Sequence, residues 1–419
     1  MYQINLSFKQ RFAYSGDPLA LYLELRRRQR VRFGGVIATP ERHVLSLSPE
    51  LFVRVADGRA TVRPMKGTVR RGVTPEEDDY LASWLSADEK SRAENLMIVD
   101  LMRNDLGRLA APGEVRVTDL YTVETYRTLH QLTSGVEAHL RPETSLPALV
   151  RAIFPCGSVT GAPKIRAMQI IRQLEAEPRG VYTGAIGLIQ PGGRMLFNVA
   201  IRTVTLNANG EGELGVGSGI VFDSDGRSEY EECLLKSRFL SEASATLSLL
   251  ETFRWDRRCG YALLERHLAR LAASAAYFSI AYDASEVRRL LLESSAGFTG
   301  ETCRVRLLID EDGTISLTAA PLSVLPPVLR FALSPRPASS RDPMRYHKTT
   351  QRTLYEAELA RQTAETGCHE VLFVNEHGEL TEGAWTNLFL RRGDRLLTPP
   401  ARCGLLIGTF ASGIDRHPT

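Results

Sequence analysis

The chain has 419 residues, 43% of them hydrophobic and 24% charged, the proportions of an ordinary globular protein long enough for two or three domains. A formal charge of +3 gives no case for nucleic acid or an anionic membrane as a partner. No apolar run reaches the roughly 18 residues of a membrane span. The six scattered cysteines include no CxxC pair, which argues for free thiols in a reducing cytosol and against disulfides or a zinc site. The first residues lack the basic-then-apolar order of a signal peptide, so the expected location is cytoplasmic.

Residues 1–70 read as strands and turns, with one helix near Pro18–Gln29. A strand at Leu51–Val55 and a second at Arg59–Arg63 lead into Pro64-Met65-Lys66-Gly67-Thr68. Pro64 restricts the backbone and Gly67 frees it, so this pentapeptide reads as a strand-to-loop turn around one lysine. A lysine is nucleophilic only when neutral, and desolvation moves it toward that state. Alone, Lys66 reads as a solvated turn residue, and only its context favours the nucleophile.

Residues 74–110 are expected to be helical: Thr74-Pro75 is a start signal, and Ser91-x-x-Glu94 resembles a capping box. That places Glu94 at the start of a nearly apolar helix, where a carboxylate needs a partner. Residues 113–140 return to strand, 145–156 and 163–176 to helix, and 181–222 to strands with Gly-rich turns. His130 is either a satisfied core histidine or a general acid. Thr160 can cap and Pro163 suits a first helical turn, so this helix start could bind an anion. Arg202, read as a buried arginine on an apolar strand, needs an anionic partner. In the Gly215–Gly219 turn the backbone could approach an anion. Ser228-x-x-Glu231 opens a helix to about Ala243, on which Glu229 and Glu232 share a face. Two like charges there either face solvent or call for a cation, and for a cation an oxygen-only set suits Mg²⁺.

Ser241–Ser248 reads as a linker, dividing the chain into domains 1–243 and 249–419. The second domain is expected to have helices at 262–278, 284–294 and 350–366, with strands at 303–320 and 370–398. Strands and helices intermix in both halves, so the fold class is α+β. Lys348, Glu382 and the turn near Thr409 offer a lysine for a Schiff base, a carboxylate for a pyridinium nitrogen and N–H groups for a phosphate.

From Tyr2 to about Leu240 the chain resembles the chorismate-utilising enzymes, a family of anthranilate, aminodeoxychorismate, isochorismate and salicylate synthases. The resemblance is carried by Ser46-Leu-Ser48-Pro49-Glu50, Met97-Ile-Val-Asp100-Leu-Met-Arg103-Asn104-Asp105, Gly161-Ala-Pro163-Lys164 and Gly217-Ser-Gly219. It implies an anthranilate synthase-like two-sheet β core with surrounding helices. It implies Mg²⁺ near Glu94, Glu229 and Glu232, and substrate carboxylates held by Arg202, Tyr182 and the backbone at Thr160, Gly217 and Gly219. By the same resemblance His130 assists loss of the C4 hydroxyl of chorismate, and Lys236 lies near the anionic substrate. Anthranilate and isochorismate members carry Ala where this chain has Lys66, whereas Pro-Met-Lys-Gly-Thr is similar to the aminodeoxychorismate synthases. That implies attack by Lys66 at C2, addition of ammonia at C4, and a separate glutamine amidotransferase as ammonia source. No cysteine here sits in an amidotransferase motif. Many relatives have an acidic residue at the position of Ser91, so one fewer carboxylate is expected near the metal.

His347-Lys348-Thr349-Thr350, Leu380-Thr-Glu382-Gly-Ala-Trp385-Thr386-Asn387 and Gly404-Leu-Leu-Ile-Gly408-Thr409 are similar to the class IV aminotransferases, most closely aminodeoxychorismate lyase. This implies a fold-type IV domain with pyridoxal 5'-phosphate on Lys348, Glu382 at the ring nitrogen, and Arg270 and Thr409 at the phosphate. The two modules would then be successive steps toward 4-aminobenzoate and folate. Relatives carry roughly a hundred or more further residues before the first motif, the size of a small domain. They also have Pro at the position of Ile407, then a further helix and strands. The expectation is a synthase–lyase fusion shortened at both ends, with exposed sheet edges. Two other readings stay open: an anthranilate synthase, and a non-catalytic remnant serving as a binding or assembly subunit.

Overall fold

The computed structural model describes residues 1–29, 31–127, 129–241 and 247–410. Apart from Ser241, Leu247 and Ser248, the expected linker lies outside the described residues, as does the tail after Phe410. The chain divides into two compact units, Met1–Arg71 with Leu81–Ser244, and Gly72–Tyr80 with Ala245–Thr419.

Up to Ser241 the strands are β1 (Gln3–Ala13), β2 (Phe33–Ala38), β3 (Arg42–Ser48), β4 (Leu51–Ala56), β5 (Arg59–Arg63), β6 (Met65–Arg70), β7 (Ala110–Thr125), β8 (Leu129–Leu140), β9 (Gly161–Ala162), β10 (Ala185–Ile189), β11 (Met195–Val199), β12 (Thr203–Asn207) and β13 (Glu211–Ile220). The helices are α1 (Pro18–Arg28), α2 (Pro75–Ala87), α3 (Glu89–Gly107), α4 (Leu146–Ile153), α5 (Lys164–Leu174) and α6 (Gly226–Ser241). One sheet has the order β2-β3-β12-β13-β1-β9, and the other β10-β11-β4-β5-β8-β6 with β7 also on β8. Phe52, Val53 and Val62 of the second sheet bury against Ile98, Met102, Leu106 and Ile153 of α3 and α4. Leu45, Leu47, Val204 and Leu214 of the first bury against Tyr22 and Leu25 of α1.

Two of the passages of the chain between the sheets lie side by side. From β3 to β4 the chain crosses at Pro49-Glu50, and from β11 to β12 at Ala200–Arg202. Backbone and hydroxyl bonds lock the crossings together: Val199 N–H donates to Glu50 O at 3.1 Å, Leu47 N–H to Arg202 O at 3.0 Å, and Ser48 Oγ to Val199 O at 2.6 Å. Asn198 Nδ2 adds a bond to Ser46 Oγ at 3.1 Å.

Several helix starts differ from expectation. Thr74 caps α2 as expected, and Asp17 caps α1. The cap of α3 is Asp88, whose carboxylate accepts from Ser91 N–H at 2.8 Å, so Glu94 sits in the second turn rather than at the start. At α6 it is Asp225 that accepts from Ser228 N–H, at 2.9 Å. α5 starts at Lys164 with Pro163 as its N-cap residue and no side-chain cap, and Thr160 spends its hydroxyl on Cys156 O at 3.0 Å. In each case an earlier carboxylate, or the strand β9, takes the place that a serine or threonine was expected to fill.

After residue 247 the strands are β14 (Leu249–Asp256), β15 (Gly260–Tyr261), β16 (Thr302–Ile309), β17 (Ile315–Pro321), β18 (Phe331–Leu333), β19 (Glu370–Val374), β20 (Leu380–Gly383), β21 (Leu390–Arg392) and β22 (Arg395–Leu397). The helices are α7 (Leu264–Phe278), α8 (Ala284–Ser295) and α9 (Thr353–Thr366). A sheet β15-β14-β16-β17 packs Phe253, Val305 and Leu307 on Leu268, Leu271 and Leu291 of α7 and α8. A smaller sheet β18-β19-β20 packs Val371 and Phe373 on Tyr355 of α9. All six cysteines are unpaired thiols. Among the described residues no helix is long and apolar enough to cross a membrane.

The cap of α3 is directly testable. Asp88→Ala should lower stability by about 1 kcal/mol, read as a shift of the denaturant midpoint, whereas Ser91→Ala should leave the midpoint nearly unchanged.

Candidate active sites

A cavity of 490 Å³ opens between the two sheets of the first unit. Lys66 reaches it in a way the sequence did not suggest. Pro64–Thr68 is not a turn: Met65 pairs with Thr133 and Thr68 with Gln131, so the segment is part of β6 with a bulge at Lys66-Gly67. Gly67 takes φ +95°, a conformation open to glycine, and the bulge aims the lysine into the cavity. Gly219 on β13 leaves room for it, because a Cβ there would stand 2.8 Å from Lys66 Nζ. Burial lowers the Lys66 amine below its ordinary value; Lys236 adds to this, and Glu94, Glu50 and Glu232 only partly oppose it.

Glu50 received no role from sequence, although it ends the Ser-Leu-Ser-Pro-Glu segment. It sits at the first crossing, 3% exposed, with Ser158 Oγ donating to Oε1 at 2.6 Å. Burial pushes its carboxyl up to about 7, against the pull of Ser158 and Lys66. A proton-exchanging carboxyl thus stands within the field of the lysine. Its signal in the sequence was an acidic residue inside an otherwise uncharged strand junction.

Arg202 belongs to the second crossing rather than to a strand, at φ +49°. It is buried, and burial lowers its guanidinium to about 10. Among the described residues no carboxylate pairs with it; the side-chain amide of Gln29, turned with its oxygen inward, accepts from Nε and Nη1, and the guanidinium lines the cavity. Tyr182 packs over Gly215, where any Cβ would collide with its ring, its hydroxyl lies close to Gly217, and burial raises its phenol. Lys236 donates to Gly217 O at 3.1 Å and pairs with Glu232 at 2.6 Å.

Glu94, Glu229 and Glu232 line the same cavity. Burial raises Glu94, Lys66 and Lys90 pull it back, and Glu229 and Glu232 push it up again, as facing carboxylates do. Glu229 accepts from Ser224 Oγ at 2.7 Å. Among the described residues no three acidic, histidine or cysteine side chains already stand close enough together to hold a metal. Two expected residues stay outside the lining. Gln131 faces the cavity, so its neighbour His130 points to the other side of β8, with Nδ1 3.0 Å from Thr125 Oγ1. Thr160 N–H is taken by Gly157 O at 3.3 Å, and Ser158 and Val159 line the wall in its place.

The second unit has a cavity of 510 Å³ lined by Lys348, Glu382, Arg270, His267 and Thr409. Leu250 N–H donates to Lys348 O at 2.9 Å, tying the lysine to β14. Burial lowers its amine to about 8, helped by Arg270. Burial raises Glu382 to about 7, and Tyr355 Oη donates to it. Arg270 is already committed: Nε and Nη2 donate to Glu251 at 2.7 and 2.8 Å, and Nη1 to Ile407 O at 3.1 Å. Glu251, a second residue missed in the sequence, also binds His267 Nδ1 at 2.7 Å, and Thr409 Oγ1 lies 3.4 Å from His267 Nε2. Burial alone would raise Glu251, but bonds from His267 and Arg270 outweigh it and hold the carboxyl at about 2.

With this geometry in place, the comparisons decide the family. Residues 1–242 match the sequence profile of the chorismate binding enzymes. The chain belongs to that family. Residues 248–414 match the profile of amino-transferase class IV, so the family member carries a second domain type. Aminodeoxychorismate synthase component 1 of Salmonella typhimurium is 43% identical over 231 residues, 55% of this chain and 51% of that protein. Aminodeoxychorismate synthase of Streptomyces griseus is 48% identical over 236 residues, 56% of this chain and 32% of that protein. The crystal structure of anthranilate synthase component I from Streptococcus pneumoniae is 38% identical with a TM-score of 0.54, covering 58% of this chain and 53% of that one. The chain therefore spans about half the length, or less, of these curated relatives.

Glu251 predicts an acid-sensitive second unit. Its folded value of about 2 lies below the ordinary 4.5, so its stabilisation is complete above that value and drains away as pH falls toward 2. Glu251→Gln should lower the thermal midpoint at neutral pH and flatten its decline between those limits, followed by the fluorescence of Trp255 and Trp385.

Proposed function

We propose that residues 1–243 form an aminodeoxychorismate synthase module, converting chorismate and ammonia to 4-amino-4-deoxychorismate. The single observation that carries this is Lys66, a lysine kept below its ordinary value by burial inside the family's cavity. Its neutral amine adds at C2 of chorismate while the C4 hydroxyl departs and the ring double bonds shift. Glu50, poised near 7, takes the proton that the new ammonium must shed. Ammonia then adds at C4 as the double bonds shift back, Glu50 returns its proton to the Lys66 nitrogen, and Lys66 leaves C2 as a neutral amine with the C–N electron pair, while the proton shed by the added ammonia and the departed hydroxide make water. Arg202 and Tyr182 would hold a substrate carboxylate, the arginine because its charge is unmatched by any carboxylate among the described residues. Glu94, Glu229 and Glu232 line one cavity without forming a closed metal site, so they would hold Mg²⁺ only together with substrate oxygens, and the ion would supply a Lewis acid for the hydroxyl group. A glutamine amidotransferase partner in the cytoplasm would supply the ammonia.

Residues 249–419 would form a lyase-like module yielding 4-aminobenzoate and pyruvate. Its residues fit pyridoxal 5'-phosphate: a lysine at about 8, a buried carboxyl, and a basic wall at Arg270 and Thr409. Bound there, that cofactor would act as an electron sink. Lys348 would hold and return the proton at the substrate, and Glu382, oriented by Tyr355, would face the ring nitrogen.

The test is incubation with chorismate, Mg²⁺ and ammonium, with the aminated product identified by mass spectrometry and fluorescence. Aminodeoxychorismate is expected, and anthranilate in its place would sink the reading. Glu50→Gln should slow the reaction by about 10²–10⁴-fold, and Lys66→Ala by at least as much, with little change in folding. Because Lys66 must be neutral, kcat/KM should fall as pH drops through its lowered value. Added pyridoxal phosphate should give a visible absorbance band that Lys348→Ala abolishes; a band surviving that change would reject the residue.

A further inference from the structure

Beside the second cavity lies a smaller one of 200 Å³, sharing Arg352 with it and lined also by Arg345, Asp342, Thr353, Leu354 and Tyr355. It is too small for the 300 Å³ or more that is roughly typical of organic ligands. Its chemistry is cationic. Arg345 is 6% exposed, and its Nε and Nη1 have no hydrogen-bond partner. The guanidiniums of Arg345 and Arg352 stand 4.4 and 4.6 Å from the centre of the Tyr355 ring. Arg352 donates one N–H to Ala384 O. It is also the N-cap residue of α9, and no side chain caps this 14-residue helix. The first-turn N–H groups, which have no partner within a helix, therefore belong to residues of the cavity wall.

Asp342 opposes this charge from the cavity wall, and Glu382, whose carboxyl burial holds at about 7, bears on both guanidiniums from the neighbouring cavity. Asp342 lies 3.5 Å from Arg345 Nε, in no hydrogen bond with it, and is already engaged by Met344 N–H at 3.0 Å. Two guanidiniums and a helix N-terminus outweigh both carboxyls, and a buried guanidinium with unfilled donors is costly unless something accepts from them.

We propose that this cavity binds one small oxyanion, free inorganic phosphate or sulfate, held by Arg345 and Arg352 at the N-terminus of α9. The site is distinct from the proposed cofactor phosphate wall at Arg270 and Thr409, and Tyr355 links it to Glu382. It does not depend on the lyase reading.

Titration calorimetry of the full chain with inorganic phosphate, at ionic strength matched with chloride, tests it. Arg270→Met removes phosphate binding at the larger cavity and should leave one phosphate site. Adding Arg345→Met should weaken that site at least tenfold, while Arg345→Lys should weaken it less. Asp342→Asn should tighten binding severalfold, an outcome that misfolding could not produce. No phosphate heat in the Arg270→Met protein, or equal affinity with and without Arg345, would overturn the proposal.

Discussion

A lysine amine is drawn below its ordinary value only where protein replaces water around it without supplying a full counter-charge, and the first unit meets that condition at Lys66. The bulge of β6 carries the amine inward, the bare backbone of Gly219 makes room for it, and Lys236 on α6 adds a like charge. Glu50 answers with a carboxyl that burial leaves near 7, able to exchange a proton rather than pin the lysine in its charged form. The two adjoining chain crossings explain how both sheets serve one cavity. Each crossing delivers one buried charged residue, Glu50 or Arg202, and their mutual hydrogen bonds fix the spacing of those charges.

The second unit shows how environment separates two carboxylates at one site. Glu251 is surrounded by His267 and Arg270 and is held at about 2. Glu382 has Tyr355 and a weak 3.5 Å contact with Asn387 Nδ2, and burial lifts it to about 7. The first orients a basic wall; the second remains able to carry a proton. Arg270, expected to serve an anion directly, reaches the cavity already fixed by Glu251, so its direction is set before any ligand arrives.

Much of the architecture could be read from the chain. Periodicity and end signals located α1, α2, α7, α8 and α9 to within a few residues, because an apolar stripe acts locally, joined at α1, α2 and α8 by an Asp or Thr before it. The ordered motifs carried the family, Lys66 and Lys348. Local rules failed where two candidates lay within one helical turn: Asp88 and Ser91 compete for one cap, and a carboxylate accepts more strongly than a hydroxyl.

What the sequence alone determined was therefore the set of chemical groups, their order and the family to which they belong. Only the tertiary structure decided which of them face one cavity. His130 and Thr160 are placed outside the lining by strand alternation and by a local backbone bond, neither visible in spacing. Glu50, Glu251 and Arg345 acquire meaning only from burial, since desolvation depends on every neighbour packed around a charge. Lys66 is the clearest case: a turn lysine by local reading becomes a strand lysine in a bulge, because register with β8 rather than its own five residues sets where its amine points.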